Sequence, residues 1–328
     1  MDLSLVFLGT GGSVPSARRA TACVLIRSGG SRLLVDAGEG AQRQMINSTG
    51  LVQVDDIYIT HFHADHYLGL PGLLKTYDLL ERRAPLRIAG PAGLHALFEA
   101  MRRIFGKLRY KVELVELGPG DAIEHDGFEV RAFAVEHGMR ALGYAYVEPD
   151  RPGRFDVAAA RGLGITDDRD FGRLQRGETI SLNGSEVRPD QVMGEPRQGR
   201  KVVITGDTGP CEMTRVAAHA AQLLVHDGTF AIEESLRAAE TGHSTARDAA
   251  QLAADAEVAM LAIVHVSSRY NVSKVLTEAR EAFPKTVAPR DFDLVEIPFP
   301  ERGEPHLIEE GARRRPEPQA ESLPIPGD

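Results

Sequence analysis

Short apolar runs alternate with segments of helical period along most of the chain. MDLSLVFLG reads as a first strand, RLLVDAG at 32–38 as another that ends on an acid, and DDIYIT at 55–60 as a short buried strand. Residues 67–80 then carry apolar positions at helical spacing. Three further apolar runs, EVRAFAVE, KVVITG and MLAIV, stop directly before His137, Asp207 and His265. Strands and amphipathic helices interleaved in this way predict a layered α/β fold. With 328 residues and 42% hydrophobic content the chain can bury a sizeable core.

Two segments break the pattern. Residues 148–200 are rich in Gly, Pro, Arg and Asp with few apolar positions. They are too long for an ordinary loop, so an insertion that protrudes is expected there. From about 301 onward the chain is dense in Pro, Glu and Arg, and 301–328 reads as a disordered tail. Residues 1–300 are left as the main domain. No apolar stretch reaches membrane-spanning length and no signal peptide opens the chain, so the expectation is a cytoplasmic protein without a membrane partner. Cys23 and Cys211 are far apart with no CxxC spacing, which suggests neither a disulfide framework nor a cysteine metal site.

The densest chemistry is THFHADHY at 60–67, where His61, His63, Asp65 and His66 follow a strand end. Two residues apart on extended backbone, His61 and His63 point to one side, while Asp65 and His66 follow on the turn toward a neighbouring point. One segment can therefore serve two adjacent metals. Neutral imidazole suits zinc, and carboxylate oxygen can complete such a site. An incidental polar turn is the weaker reading, because unpaired buried imidazoles and carboxylates are costly. His137, Asp207 and His265 offer the remaining ligands from other strand ends. Asp65 beside a metal-bound water is placed to take its proton. His95, His125, His219 and His306 fall on helical or polar stretches and read as solvated.

FLGTGGSVP at 7–15, VDAGEGAQRQM at 35–45, HFHADH at 61–66, GDT at 206–208, GHSTA at 242–246 and HVSSRY at 265–270 together resemble the ribonuclease Z family, tRNA 3′-processing endonucleases of the metallo-β-lactamase superfamily. HxHxDH alone marks the superfamily, and the GEGxQRQM, HSTA and SSRY segments narrow it. The resemblance runs over residues 3–299. It implies the metallo-β-lactamase fold, a four-layer αβ/βα sandwich with a protruding arm. It also implies two zinc ions per subunit, one on His61, His63 and His137, the other on Asp65, His66 and His265, with Asp207 bridging. The implied reaction is zinc-dependent hydrolysis of precursor tRNA, leaving a 3′-hydroxyl on the tRNA and a 5′-phosphate on the trailer.

In that family Asp65 would accept a proton and His243 would protonate the leaving oxygen, oriented by an acid of a HEAT-like segment. Here that segment reads HDGT, so Asp227 stands one methylene short of a glutamate and reaches His243 either directly or through a water. Asp36 is expected to orient a ligand histidine, and Thr245 with Asp248 resembles a capping box. Arg269 is open to two readings, a phosphate contact or a surface ion pair.

Within the insertion, RPGRFD and GRLQRGE resemble the two ends of an arm that grips the tRNA elbow, but TDDRDF replaces the Gly-Pro element between them. A homodimer, each arm serving the partner's site, is also implied. PSARRA at 15–20 departs from the family's PxKxRN, which leaves open whether cleavage falls before or after CCA. The net charge of −9 argues only superficially against RNA, since distribution outweighs the sum. Arg82, Arg83, Arg87, Arg102, Arg103, Lys107, Arg109 and Lys111 form a basic run, read equally as a patch beside the metal-bearing segment or as a solvated face. The arm adds Arg151, Arg154, Arg173 and Arg176. One rival reading is a hydrolase of the same fold acting on a small phosphodiester, thioester or sulfate; a second, a non-catalytic RNA-binding relative, is weakened by the presence of all seven expected ligands.

Overall fold

In the first strand, Leu3–Gly9, Leu5 and Phe7 pack to one side and Val6 and Leu8 to the other, and all four are buried. A strand apolar on both faces belongs in the middle of a covered sheet. The computed structural model, which describes residues 2–182 and 184–310, places it there. Eight strands form the first sheet, in the order His306–Ile308, Leu294–Glu296, Leu3–Gly9, Cys23–Ser28, Ser31–Val35, Asp56–Tyr58, Leu86–Pro91 and Val112–Leu117. Seven form the second: Thr286–Val287, Leu261–Val264, Leu223–Asp227, Lys201–Ile204, Leu142–Val147, Phe128–Ala134 and Ala122–His125.

The inner faces meet in one core, where Phe7, Val35 and Tyr58 of the first sheet lie with Val130, Tyr144 and Val225 of the second. Helices Ala41–Ser48, Leu70–Leu79 and Leu94–Phe105 cover the first sheet through Met45, Leu73 and Phe98. Helices Glu212–Ala218, Ala246–Asp255 and Val272–Ala282 cover the second through Ala218, Ala250 and Val275. The result is the expected four-layer αβ/βα sandwich.

Parallel pairing decides where chemistry can collect. Val35 pairs with Tyr58 and Tyr58 with Ala89 in the first sheet, and Ile204 with Val225 and Asp227 with Val264 in the second, all in parallel ladders. The carboxyl ends of these strands therefore share one rim, the usual place for a ligand in open α/β sheets. Asp36, the 61–66 segment, Asp207, Asp227 and His265 all lie at or just past those ends.

Residues 148–200, expected as an insertion too long for an ordinary loop, are a folded unit, and two other expectations change. Helices Val157–Gly162 and Asp168–Gln175 and the hairpin Ile180–Leu182 with Ser185–Val187 enclose Ala160, Ile165, Leu174, Ile180, Val187 and Val192. Four of the six fall one to an element and Ile165 and Val192 lie in the connections, so composition hides them. Asp167 of TDDRDF caps the second helix by accepting from Arg169 N at 2.9 Å.

The tail begins later than composition suggested. Turn Pro300–Arg302 leads into strand His306–Ile308, whose Leu307 pairs with Val295 and packs toward the inner core while Ile308 packs outward. Residues 311–328, the rest of that expected tail, lie outside the described residues. His125 is not solvated. The polar HDG stretch is a tight turn with Gly127 at φ 83°, and it folds His125 between Tyr58 Oη at 2.9 Å and Asp56 Oδ2 at 3.2 Å. His95, His219 and His306 are exposed as expected. No described helix is long and apolar enough to cross a membrane.

Candidate metal centre

The strand Asp56–Tyr58 is shorter than the apolar run because Thr60 leaves the sheet to bond Asp36, through N at 2.8 Å and Oγ1 at 2.9 Å. That turn delivers His61 and His63, and the single helical turn Ala64–Tyr67 carries Asp65 and His66. Across the rim, Gly206 lets the Asp207 loop come close. A Cβ there would sit 2.8 Å from Thr60 Cβ, and its φ of 64° suits glycine. Asp36 and His265 leave their strands at φ 59°, a left-handed conformation that non-glycine residues hold only where the surroundings fix it.

Three overlapping donor groups result, one of them formed by Asp207, Asp227, His243 and His265. His61, His63, His137 and Asp207 offer atoms all within 4.8 Å of one another, and so do Asp65, His66, Asp207 and His265. His63 Nδ1 lies 3.0 Å from both His61 Nε2 and His137 Nε2. His137 Nδ1 faces the Gly242 carbonyl at 2.8 Å, so its proton sits there and Nε2 is bare. Asp207 stands between the groups, its Oδ1 3.3 Å from His66 Nε2 and its Oδ2 3.3 Å from His265 Nε2 and 3.7 Å from His61 Nε2. Asp65 Oδ2 accepts from Ser13 N at 3.0 Å and lies 3.2 Å from His265 Nε2.

These atoms fit a metal. His66 Nε2 is buried without a well-aligned hydrogen bond although Asp207 Oδ1 is near, while its Nδ1 is 2.7 Å from Asp36 Oδ2. An orphaned imidazole nitrogen of that kind is costly unless something else accepts its lone pair. Burial lowers His61, which keeps the ring neutral and fit to ligate. Burial works against both His66 and His265, yet Asp207 and Asp36 hold His66 well above its ordinary value, and Asp207 raises His265. A pocket with so negative a field would accept a cation. Imidazole and carboxylate donors suit zinc among the common ones.

Beside these groups His243 Nδ1 lies 2.7 Å from Asp227 Oδ2, a direct contact that settles the reach of the shorter acid. The strand Leu223–Asp227 ends on that aspartate and helix Ala246–Asp255 opens just after His243, with Thr245 and Asp248 forming the capping box. Burial pushes His243 down, but the Asp227 carboxylate outweighs it and holds the imidazole above its ordinary value. Two threonines that the sequence reading passed over join in. Thr60 Oγ1 is 3.0 Å from His61 Nδ1, and Thr229 Oγ1 is 2.6 Å from Asp227 Oδ1 and 2.8 Å from His265 Nδ1. Both stand inside motifs already singled out, THFHADH and HDGT, which was the available signal.

The basic run does not accompany the site. Arg82 is buried, donating to the Ala84 and Pro85 carbonyls at 2.9 and 2.7 Å beside the Tyr77 and Tyr110 rings. Arg87 pairs with Asp56, Arg102 with Glu99, Arg109 with Asp78 and Lys111 with Glu113. Arg87 opens its strand, Arg102 and Arg103 end a helix and Lys111 precedes a strand. In parallel βα units those positions lie at the rim opposite the ligands. Of the insertion's arginines, Arg151 pairs with Glu301, Arg173 with Asp170 and Glu178, and Arg176 with Glu178, while Arg154 is exposed. Arg269 makes the surface ion pair, 3.5 Å from Glu234. Arg19 donates to the Pro289 carbonyl at 2.9 Å, and Ala20 N to Asp291 at 2.6 Å, which pins the 15–20 loop.

Comparison with known proteins places this geometry. A family model described as the metallo-beta-lactamase superfamily matches residues 17–154. A ribonuclease Z from Methanosarcina acetivorans is 42% identical over 301 residues, covering 90% of this chain and 99% of its own. One from Myxococcus xanthus is 44% identical over 303 residues, covering 90% and 98%. Among solved structures, the short form of human tRNase Z is 26% identical with a TM-score of 0.65, over 90% of this chain and 99% of that one.

Proposed function

The chain belongs to the ribonuclease Z family of the metallo-β-lactamase superfamily, and from that premise we propose that it is a zinc-dependent endoribonuclease removing the 3′ trailer from tRNA precursors. The tRNA would keep a 3′-hydroxyl and the trailer a 5′-phosphate. The observation that carries the reading is the convergence of His61, His63, Asp65, His66, His137, Asp207 and His265 in two groups that share Asp207, in a chain whose relatives match it nearly end to end.

We assign His61, His63 and His137 to one zinc and Asp65, His66 and His265 to the other, with Asp207 shared. Zinc held there would acidify water and neutralise charge building on a phosphoryl group. The chain's own groups supply the proton transfers. Burial favours the neutral form of Asp65, but its hydrogen bond with His265 and the nearby His66 keep the carboxyl below its ordinary value, so it remains a base. Ser13 N fixes one of its oxygens. His243 donates a hydrogen bond from Nδ1 to Asp227, which leaves Nε2 as the atom that protonates the departing 3′-oxygen. An imidazole held above its ordinary value keeps that proton near neutral pH. Residues 148–200 would grip the tRNA away from the scissile bond. A homodimer in which each such unit serves the partner's site, working in the cytoplasm where tRNA precursors are found, completes the proposal.

Asp207→Ala tests the ligand assignment. Loss of the shared anion should abolish turnover and lower bound zinc, read by metal analysis of the purified chain. Wild-type turnover with a full zinc complement would remove Asp207 from the site.

A further inference from the structure

Asp227 serves more than His243. Its Oδ2 also accepts from Thr208 N at 3.1 Å, next to Asp207, and its Oδ1 from Thr229 N at 2.8 Å and Thr229 Oγ1 at 2.6 Å. The Thr229 hydroxyl has one proton, and the carboxylate takes it. Toward His265 Nδ1, 2.8 Å away, the same oxygen can only accept. His265 must therefore carry a proton on Nδ1, which leaves Nε2, facing Asp65 and Asp207, as the nitrogen it can offer to a metal. The ring is enclosed on a further side by Gly12, where a Cβ would fall 2.7 Å from Nδ1. The same arrangement occurs once more in the site: Thr60 donates to Asp36 and faces His61 Nδ1, while Asp36 itself bonds His66.

We propose that Thr229 is a positioning residue that seats His265 and the Asp227–His243 pair on one carboxylate, so that the imidazole offered to a metal and the one offered to the leaving group are set by a single anchor. The inference rests on the zinc reading above. Thr229 touches neither metal nor substrate. Its hydroxyl fixes the tautomer and tilt of one ligand and makes one of the four hydrogen bonds that hold Asp227 still. Groups of this kind that orient a ligand are worth about 10–100-fold in metal affinity. The order of metal sensitivity should follow the hydroxyl, not the side chain's bulk.

The test uses the full chain loaded with zinc and titrated with a chelator. Thr229→Val, which keeps the shape and removes the hydroxyl, should release its more weakly held zinc at about 10–100-fold lower chelator concentration. Thr229→Ser should hold zinc as the wild type does. Thr229→Ala serves where the valine variant does not fold, with the same expected loss. A folded valine or alanine variant that holds zinc like the wild type would overturn the proposal, as would a serine variant as weak as the valine one. A wild-type chain that binds no zinc would bring down the metal reading itself, and this inference with it.

Discussion

His243 donates Nδ1 to Asp227 at 2.7 Å, so its role turns on the other nitrogen. If Nε2 protonates the leaving oxygen, His243→Ala should keep its zinc and lose roughly 10²–10⁴-fold in turnover of precursor tRNA. On a nitrophenolate diester, whose leaving group needs no proton, the loss should shrink. Equal losses on both substrates would mark His243 as structural. At this scale the sequence carried much of the site, because an apolar run that halts on His or Asp marks a strand's carboxyl end. Thr60 and Thr229 escaped notice because threonine near a strand is ordinarily read as a β-former. Their imidazole and carboxylate partners appear only when segments meet, and Thr229 lies 36 positions from His265. Arg82 failed in the opposite sense, since the carbonyls and tyrosine rings that bury it come from the fold.

Elements were legible wherever period and length agreed, as in the central strands and the helices that cover them. The insertion was not, because four of its six core residues fall one to each of four short elements and the other two lie in connections. Its base is closed by Arg200, 1% exposed, whose guanidinium reaches Glu148 at 2.6 and 2.9 Å and the Ile297 carbonyl at 3.1 Å. Removing one partner of such a buried pair costs about 3–5 kcal/mol, so Glu148→Ala should lower the urea midpoint markedly. Burial alone would raise the Glu148 carboxyl, but Arg200 holds it below its ordinary value. The pair's contribution is then complete above the carboxylate's unfolded value, about 4.3, and fades as pH falls through the depressed folded one. Between neutral pH and pH 3 the wild type should lose more stability than Glu148→Ala. Parallel loss in both would show that the pair contributes little.

For the whole molecule, the sandwich places every candidate ligand on one rim and leaves the basic run on the other. The basic run therefore lies away from the candidate ligands, and the proposal gives residues 148–200 the grip on RNA. Replacing 152–196 by a short Gly-Ser linker keeps the Arg151–Arg197 bridge at the neck and removes no candidate ligand. Zinc content and hydrolysis of a small phosphodiester should be unchanged. Precursor tRNA should bind more weakly and with a shallower dependence on salt, as fewer phosphate contacts release counterions. Unaltered tRNA affinity would dismiss the unit as a substrate clamp. The account as a whole meets its most direct test in cleavage of one precursor tRNA by zinc-loaded and chelator-stripped protein, with both new ends mapped. It predicts a single zinc-dependent cut at the 3′ side of the tRNA, with a 3′-hydroxyl on the tRNA and a 5′-phosphate on the trailer. Cleavage that survives removal of the metal, or a loaded enzyme that hydrolyses small phosphodiesters yet leaves the precursor intact, would contradict it.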